Sequence, residues 1–201
     1  TVVDPNSIRY HLEKALFFAR NGRPGPVWLD IPLDVQAAHI NEDELEGFDP
    51  KEITTSLKNS VLKQQISELI QLLNQAERPV ILVGNGVRLA KAIGDFYQLI
   101  ETLQIPVLTT WRATDFLGED HPLYIGRPGA IGQRGANFAQ QNSDLILILG
   151  ARLDLGQTGY SHSNFARTAK KIMVDVDNAE IEKMEFKIDI PICVDAKGFI
   201  R

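Results

Sequence analysis

One cysteine, Cys193, stands in 201 residues. An internal disulfide is therefore excluded, and a reducing, cytoplasmic setting is the simpler expectation. Cys193 lies in an apolar run and reads as an inert core thiol. No apolar run is long enough to span a bilayer, so a membrane partner is not expected. Basic residues, 21, are outnumbered by 26 acidic ones, for a net charge of -5. A nucleic-acid binder would show a basic excess, so that partner is not expected either. The four histidines (His11, His39, His121 and His162) lack the spacing of a metal-ligand set. No GxSxG nucleophile word occurs. What remains is a chain that is 44% hydrophobic and 23% charged, enough for a globular core.

The stretch GRPGPVWLDIPLDVQ, residues 22–36, places prolines at both ends of PVWLDI. Proline lacks an N–H and fixes φ, so it suits the ends of a strand rather than its middle. PVWLDI is expected as a buried strand. Before it, Asp4, Pro5 and Asn6 signal a helix start, and Ile8, Leu12, Ala15, Leu16 and Ala19 recur at helical spacing. Asn21 and Gly22 suit a left-handed C-cap. One helix and one strand make no core alone. Residues 1–36 are expected to be the C-terminal end of a preceding domain, in a chain that looks excised from something longer. Residues 37–60, acidic from Asn41 to Glu46 and then polar, are expected to be a surface linker.

From residue 61 to residue 201 apolar strands alternate with amphipathic helices. Helices are expected over 61–75, 88–103 and 134–142, with a further one starting at Asn178. Strands are expected over 79–83, 106–109, 144–150, 171–177 and 188–195. This alternation implies an α/β fold: a doubly wound parallel sheet with helices on both faces. Ligands of such sheets sit beyond the carboxyl ends of the strands.

Candidate binding residues follow those strand ends. Gly84 and Gly86 flank Asn85 after the first strand, but Leu89 stands where a dinucleotide fingerprint needs glycine, so a tight turn explains them as well. Gly126, Gly129, Gly132 and Gly135 recur every third residue before a helix, with Arg127 and Arg134 among them. Free N–H groups of a helix's first turn seat a phosphate, and arginine adds charge. Asp175 and Asp177 end a strand, where an acid can bond ribose hydroxyls; Asp177 is equally placed to cap the next helix. Arg152 and Asp154 follow another strand end and either line the same crevice or pair on the surface.

The words RPVILVGNGV, IPVLTT, GEDHPLYIGRPGAIGQRGAN, SDLILILGARLD and AKKIMVDVDNAEI, with the TG pair Thr158–Gly159, resemble the middle domain of thiamine diphosphate enzymes of the acetolactate synthase family. GRPGPVWLDIPLDVQ resembles the closing strand of that family's pyrimidine-binding domain. The resemblance implies a 2-keto acid substrate, decarboxylation and carboligation, and a homodimer or homotetramer. It implies thiamine diphosphate and Mg2+, but the family's GDG metal word is missing from this chain, so the catalytic groups are expected outside it and the chain alone is expected to be inactive. It further implies that Arg23, Gly84, Gly86, Gly129, Gly132, Arg134, Arg152, Asp175 and Asp177 surround an ADP-like moiety, in FAD, in another nucleotide, or in a pocket that holds nothing. Arg23 has a guanidinium fork suited to phosphate, or serves a domain interface. Two words depart from flavin-containing relatives: Gly132-Gln133-Arg134-Gly135 where a GMHG-like word is usual, and Trp111 to Asp115 where a glycine-containing stretch is usual.

Overall fold

The computed structural model describes residues 1–53 and 59–201. Residues 54–58, part of the expected linker, lie outside the described residues. The chain divides into two compact units, Thr1–Ser56 and Leu57–Arg201.

In the larger unit the strands are β1 (Pro79–Val83), β2 (Val107–Thr109), β3 (Tyr124–Gly126), β4 (Leu145–Leu149), β5 (Lys170–Asp175) and β6 (Ile190–Cys193). They form one parallel sheet in the order β3-β2-β1-β4-β5-β6. Strand order reverses between β1 and β4, the switch point of a doubly wound sheet. The central strands are apolar on both sides because both faces are covered. Ile81, Val83, Leu147 and Leu149 share one core with Leu69, Phe96, Ile100 and Phe199. Val80, Leu82, Ile146 and Ile148 share the other with Ala136, Phe165 and Ile181. Those partners come from α3 (Asn59–Gln75), α5 (Ile93–Leu103) and α9 (Ala196–Ile200) on the first face. On the second face they come from α6 (Arg134–Asn142), α8 (Asn178–Glu182) and the segment leading into β5. Each large aliphatic residue so buried contributes about 2 kcal/mol.

Several expected bounds are corrected in this unit: β5 ends at Asp175 rather than at 177, and β6 is confined to Ile190–Cys193 within the expected 188–195. The helix expected over 88–103 is broken into α4 (Gly86–Leu89) and α5. Lys91 takes φ 55° between them, and the turn sends both Val87 and Ala92, fully buried, into the core. The strand expected at 144–150 stops at Leu149, because Gly150 turns left-handed at φ 57°. β3, only three residues long, and α7 (Leu155–Thr158) are not among the expected elements.

The smaller unit holds α1 (Ile8–Arg20) and the short α2 (Leu33–Gln36). PVWLDI is not a strand: Trp28 is 91% exposed and Val27 46%. A strand forms only where a neighbour takes its backbone groups. Here Val2 N–H donates to Asp30 O at 2.8 Å, and no ladder follows among the described residues. The acidic stretch after residue 37 packs on α1. Phe48 N–H donates to the Glu13 carboxylate at 2.8 Å, and its ring meets Tyr10 and Phe17 with centroids at 5.7 and 5.4 Å.

Candidate functional site

The carboxyl ends of β1 and β4 meet at the switch point. Gly84 N–H donates to Leu149 O and Gly86 N–H to Gly150 O, each at 2.9 Å. A β-carbon on Gly86 would stand 2.7 Å from the Gly150 Cα, and one on Gly84 would strike the Gly150 carbonyl. The Gly84-Asn85-Gly86 word therefore lets two loops touch backbone to backbone.

Beyond β3 the glycine-rich stretch is a fixed loop. Asn137 on α6 accepts from Gly129 N–H at 2.9 Å and donates to Gly129 O at 3.1 Å. Gln133 Oε1 accepts from Arg127 N–H, and Gln133 N–H donates to Arg127 O, both at 2.7 Å. Gly129, at φ 132°, and Gly132 sit where side chains would strike backbone, of Gly156 and of Arg127–Gly129 respectively. The loop delivers the chain to α6, whose first turn has no side-chain cap. A β-carbon on Gly135, in that turn, would meet nothing within 4 Å. Arg134 is exposed beside it, its guanidinium 5.3 Å from the Phe138 ring centroid.

After β4, Asp154 caps α7 by accepting from Gly156 N–H at 3.1 Å. Gln157 on α7 is buried, and its Nε2 donates to Pro128 O at 3.2 Å. Its Oε1 is buried without a hydrogen-bond partner, next to the glycine-rich loop. A buried acceptor left unsatisfied is costly and calls for an explanation. Arg152 is exposed on the same strand end, 3.8 Å from Glu180 Oε2. After β5, the buried Asp175 accepts from Asp177 N–H at 2.9 Å, and Asp177 caps α8 by accepting from Ala179 N–H at 3.0 Å. Burial first, then the neighbouring Asp175 and Asp177, push the Cys193 thiol above its ordinary pKa.

The loop after β2 is bolted to β1's loop. Arg88 Nη2 reaches both Asp115 oxygens at 2.6 Å, and its Nη1 reaches Asn85 Oδ1 at 3.0 Å and Arg112 O at 3.2 Å. The Arg88 guanidinium, foremost, holds the Asp115 carboxyl below its ordinary pKa.

Of the residues expected at the site, Gly84 and Gly86 stand against Gly150, Gly129 and Gly132 build the loop ahead of Arg134, and Asp175 leads to Asp177. Arg23 belongs to the smaller unit, where it is exposed. Gln133, Asn137, Gln157 and Arg88 were missed. The spacing of Gln133 and Asn137, one helical turn apart, was a readable signal; nothing local marked Gln157.

Residues 66–201 match the thiamine pyrophosphate enzyme central domain. The chain belongs to that family. It is 37% identical over 205 residues to a probable acetolactate synthase large subunit of Methanocaldococcus jannaschii, covering 98% of this chain and 33% of that protein. It is 37% identical over 201 residues to the acetolactate synthase large subunit of Corynebacterium glutamicum, covering 98% and 31%. It is also 37% identical over 174 residues to the isozyme 1 large subunit of Escherichia coli, covering 87% and 30%. The chain thus spans about a third of the length of the curated relatives it matches. The six-stranded sheet described above is the family's α/β central domain. No helix among the described residues is long and apolar enough to cross a membrane.

Proposed function

We propose that the chain works as the central domain of an acetolactate synthase-like enzyme acting on a 2-keto acid in the cytoplasm, as a homodimer or homotetramer. Its carboxyl-edge loop seats the diphosphate of an ADP-type nucleotide, alone or within FAD. The observation that carries this reading is the first turn of α6: no side chain caps it, Gly135 leaves space before it, and Gly129 and Gly132 hold the loop beneath it. Helix N–H groups with a positive dipole end attract phosphate. Arg134 adds charge, and Gln157 Oε1 is a buried acceptor suited to a hydroxyl of the nucleotide's ribose rather than to its phosphates. Arg152 and Asp175 are the further contacts in this reading. Gly84, Gly86 and Asp177 act indirectly, by closing the loops and capping α8.

Thiamine diphosphate with Mg2+ supplies decarboxylation and carboligation chemistry in such an enzyme. The residues here do not fit that group. The sequence has no GDG word, and among the described residues no three His, Cys, Asp or Glu side chains group to hold a metal ion. In this proposal the catalytic groups stand outside these 201 residues.

A second reading, a central domain that packs without a ligand, is favoured by the use of Gly84, Gly86 and Asp177 in packing and capping. Thermal melting separates the two. A ligand that binds only the native state raises the melting temperature. ADP or FAD at saturating concentration is expected to raise it; no rise with either supports the ligand-free reading.

A further inference from the structure

The opposite, amino edge of the sheet carries a cavity that the carboxyl-edge site does not use. Its volume is about 390 Å³, and it lies among Arg167, the start of β5 at Lys170 and Lys171, and the Phe186–Asp189 segment before β6. It is a cleft largely open to solvent rather than an enclosed cavity, of a size within the roughly 300–1,000 Å³ of small-molecule sites. Four cations line it, Arg167, Lys170, Lys171 and Lys187, against one carboxylate, Asp189.

That carboxylate is already shared. Asp189 accepts from Lys171 N–H at 2.9 Å and stands 3.0 Å from Lys187 Nζ and 3.6 Å from Lys170 Nζ. Lys171 itself is only 6% exposed. Its Nζ donates to Ala169 O at 3.0 Å and lies 5.6 Å from the Phe186 ring centroid. An ammonium has three donors, and among the described residues no carboxylate comes within 4 Å of this one. Burial, opposed by Asp189, lowers the Lys171 pKa from the ordinary lysine value. A buried cation without an anion at contact distance is unfavourable, and an anion entering this cavity relieves it. Phe186 stacks on Phe165 at 5.3 Å and 9°, and it forms an apolar floor.

We propose that this cavity binds a phosphate group, either free phosphate or a phosphomonoester of a small metabolite. Four cations facing one carboxylate leave an excess that a single monocarboxylate ligand does not offset. A phosphate group carries close to two charges at neutral pH and three strong acceptor oxygens. The site is separate from the carboxyl-edge loop and stands or falls independently of the nucleotide reading.

Calorimetric titration of the 201-residue chain at constant ionic strength tests this, with inorganic phosphate in one arm and glycerol 3-phosphate in the other. One saturable site is expected in at least one arm. Saturation by inorganic phosphate identifies the group itself as sufficient; saturation by the ester alone shows that the Phe186 floor contributes. The double variant Arg167→Gln/Lys187→Gln changes two exposed side chains and is expected to melt with the parent when phosphate is absent, yet to bind at least tenfold more weakly. No saturable heat in either arm, or unchanged affinity in the double variant, overturns the proposal.

Discussion

A β-carbon on Gly86 would stand 2.7 Å from the Cα of Gly150, so the loops leaving β1 and β4 touch without side chains between them. Backbone on both sides leaves no flexible atom to yield. Gly86→Ala is therefore expected to destabilise the chain by about 2 kcal/mol or more. Gly135→Ala, with open space and a helical position, is expected to raise stability by up to about 1 kcal/mol. Denaturant unfolding of the two variants checks the contrast; equal effects would contradict it.

Arg88 joins the loops after β1 and β2 through Asp115, Asn85 and the Arg112 carbonyl. Arg88→Met keeps an apolar side chain of similar length but removes all of these bonds, together with the guanidinium that lies 4.8 Å from the Phe116 ring centroid. Amide hydrogen exchange across residues 111–117 is expected to accelerate, while β4 and β5 stay protected. Unchanged exchange in that loop would show that Arg88 does not hold it.

Asp144 gives a pH signature. Its carboxylate accepts from Glu77 N–H at 2.7 Å and Arg78 N–H at 2.9 Å, clamping the start of β1 to that of β4. Burial, the largest influence, pushes its pKa up, but those two N–H groups, with Asp144's own N–H and the Arg78 charge, together outweigh it and hold the carboxyl below its ordinary value. A lowered folded pKa stabilises above the unfolded value, about 4, and the contribution is lost as pH falls through the folded one. Asp144→Asn is expected to lose about 1 kcal/mol at pH 7, with the gap to the parent closing below pH 4. A gap that stays constant with pH would contradict the assignment.

The reading of the chain as a central domain predicts its chemistry when alone. Supplied with thiamine diphosphate, magnesium and pyruvate, the 201-residue chain is expected to release neither carbon dioxide nor acetolactate. Measured turnover would place catalytic groups inside it.

Much of the fold was legible because its signals are local. β1 and β4 are short apolar runs bounded by polar residues and glycine, and α6 begins at Arg134 where the glycine repeat ends. PVWLDI failed because a strand depends on its neighbour, which local sequence does not reveal; Trp28 is 91% exposed. The site was legible only in part for the same reason. Glycine announces conformational freedom, but not whether a ligand or a second loop approaches. At Gly84 and Gly86 it is the Gly150 loop. Gln157 matters because of Pro128, 29 residues away, and no periodicity carries such a pairing.

The most direct test of the nucleotide seat is a titration of the isotope-labelled chain with ADP, followed by amide resonances. The account predicts saturable shifts at Gly129–Asn137 and at the Gln157 side-chain amide. No saturable shift in the α6 first turn would contradict it, whatever the amino edge around Lys171 does.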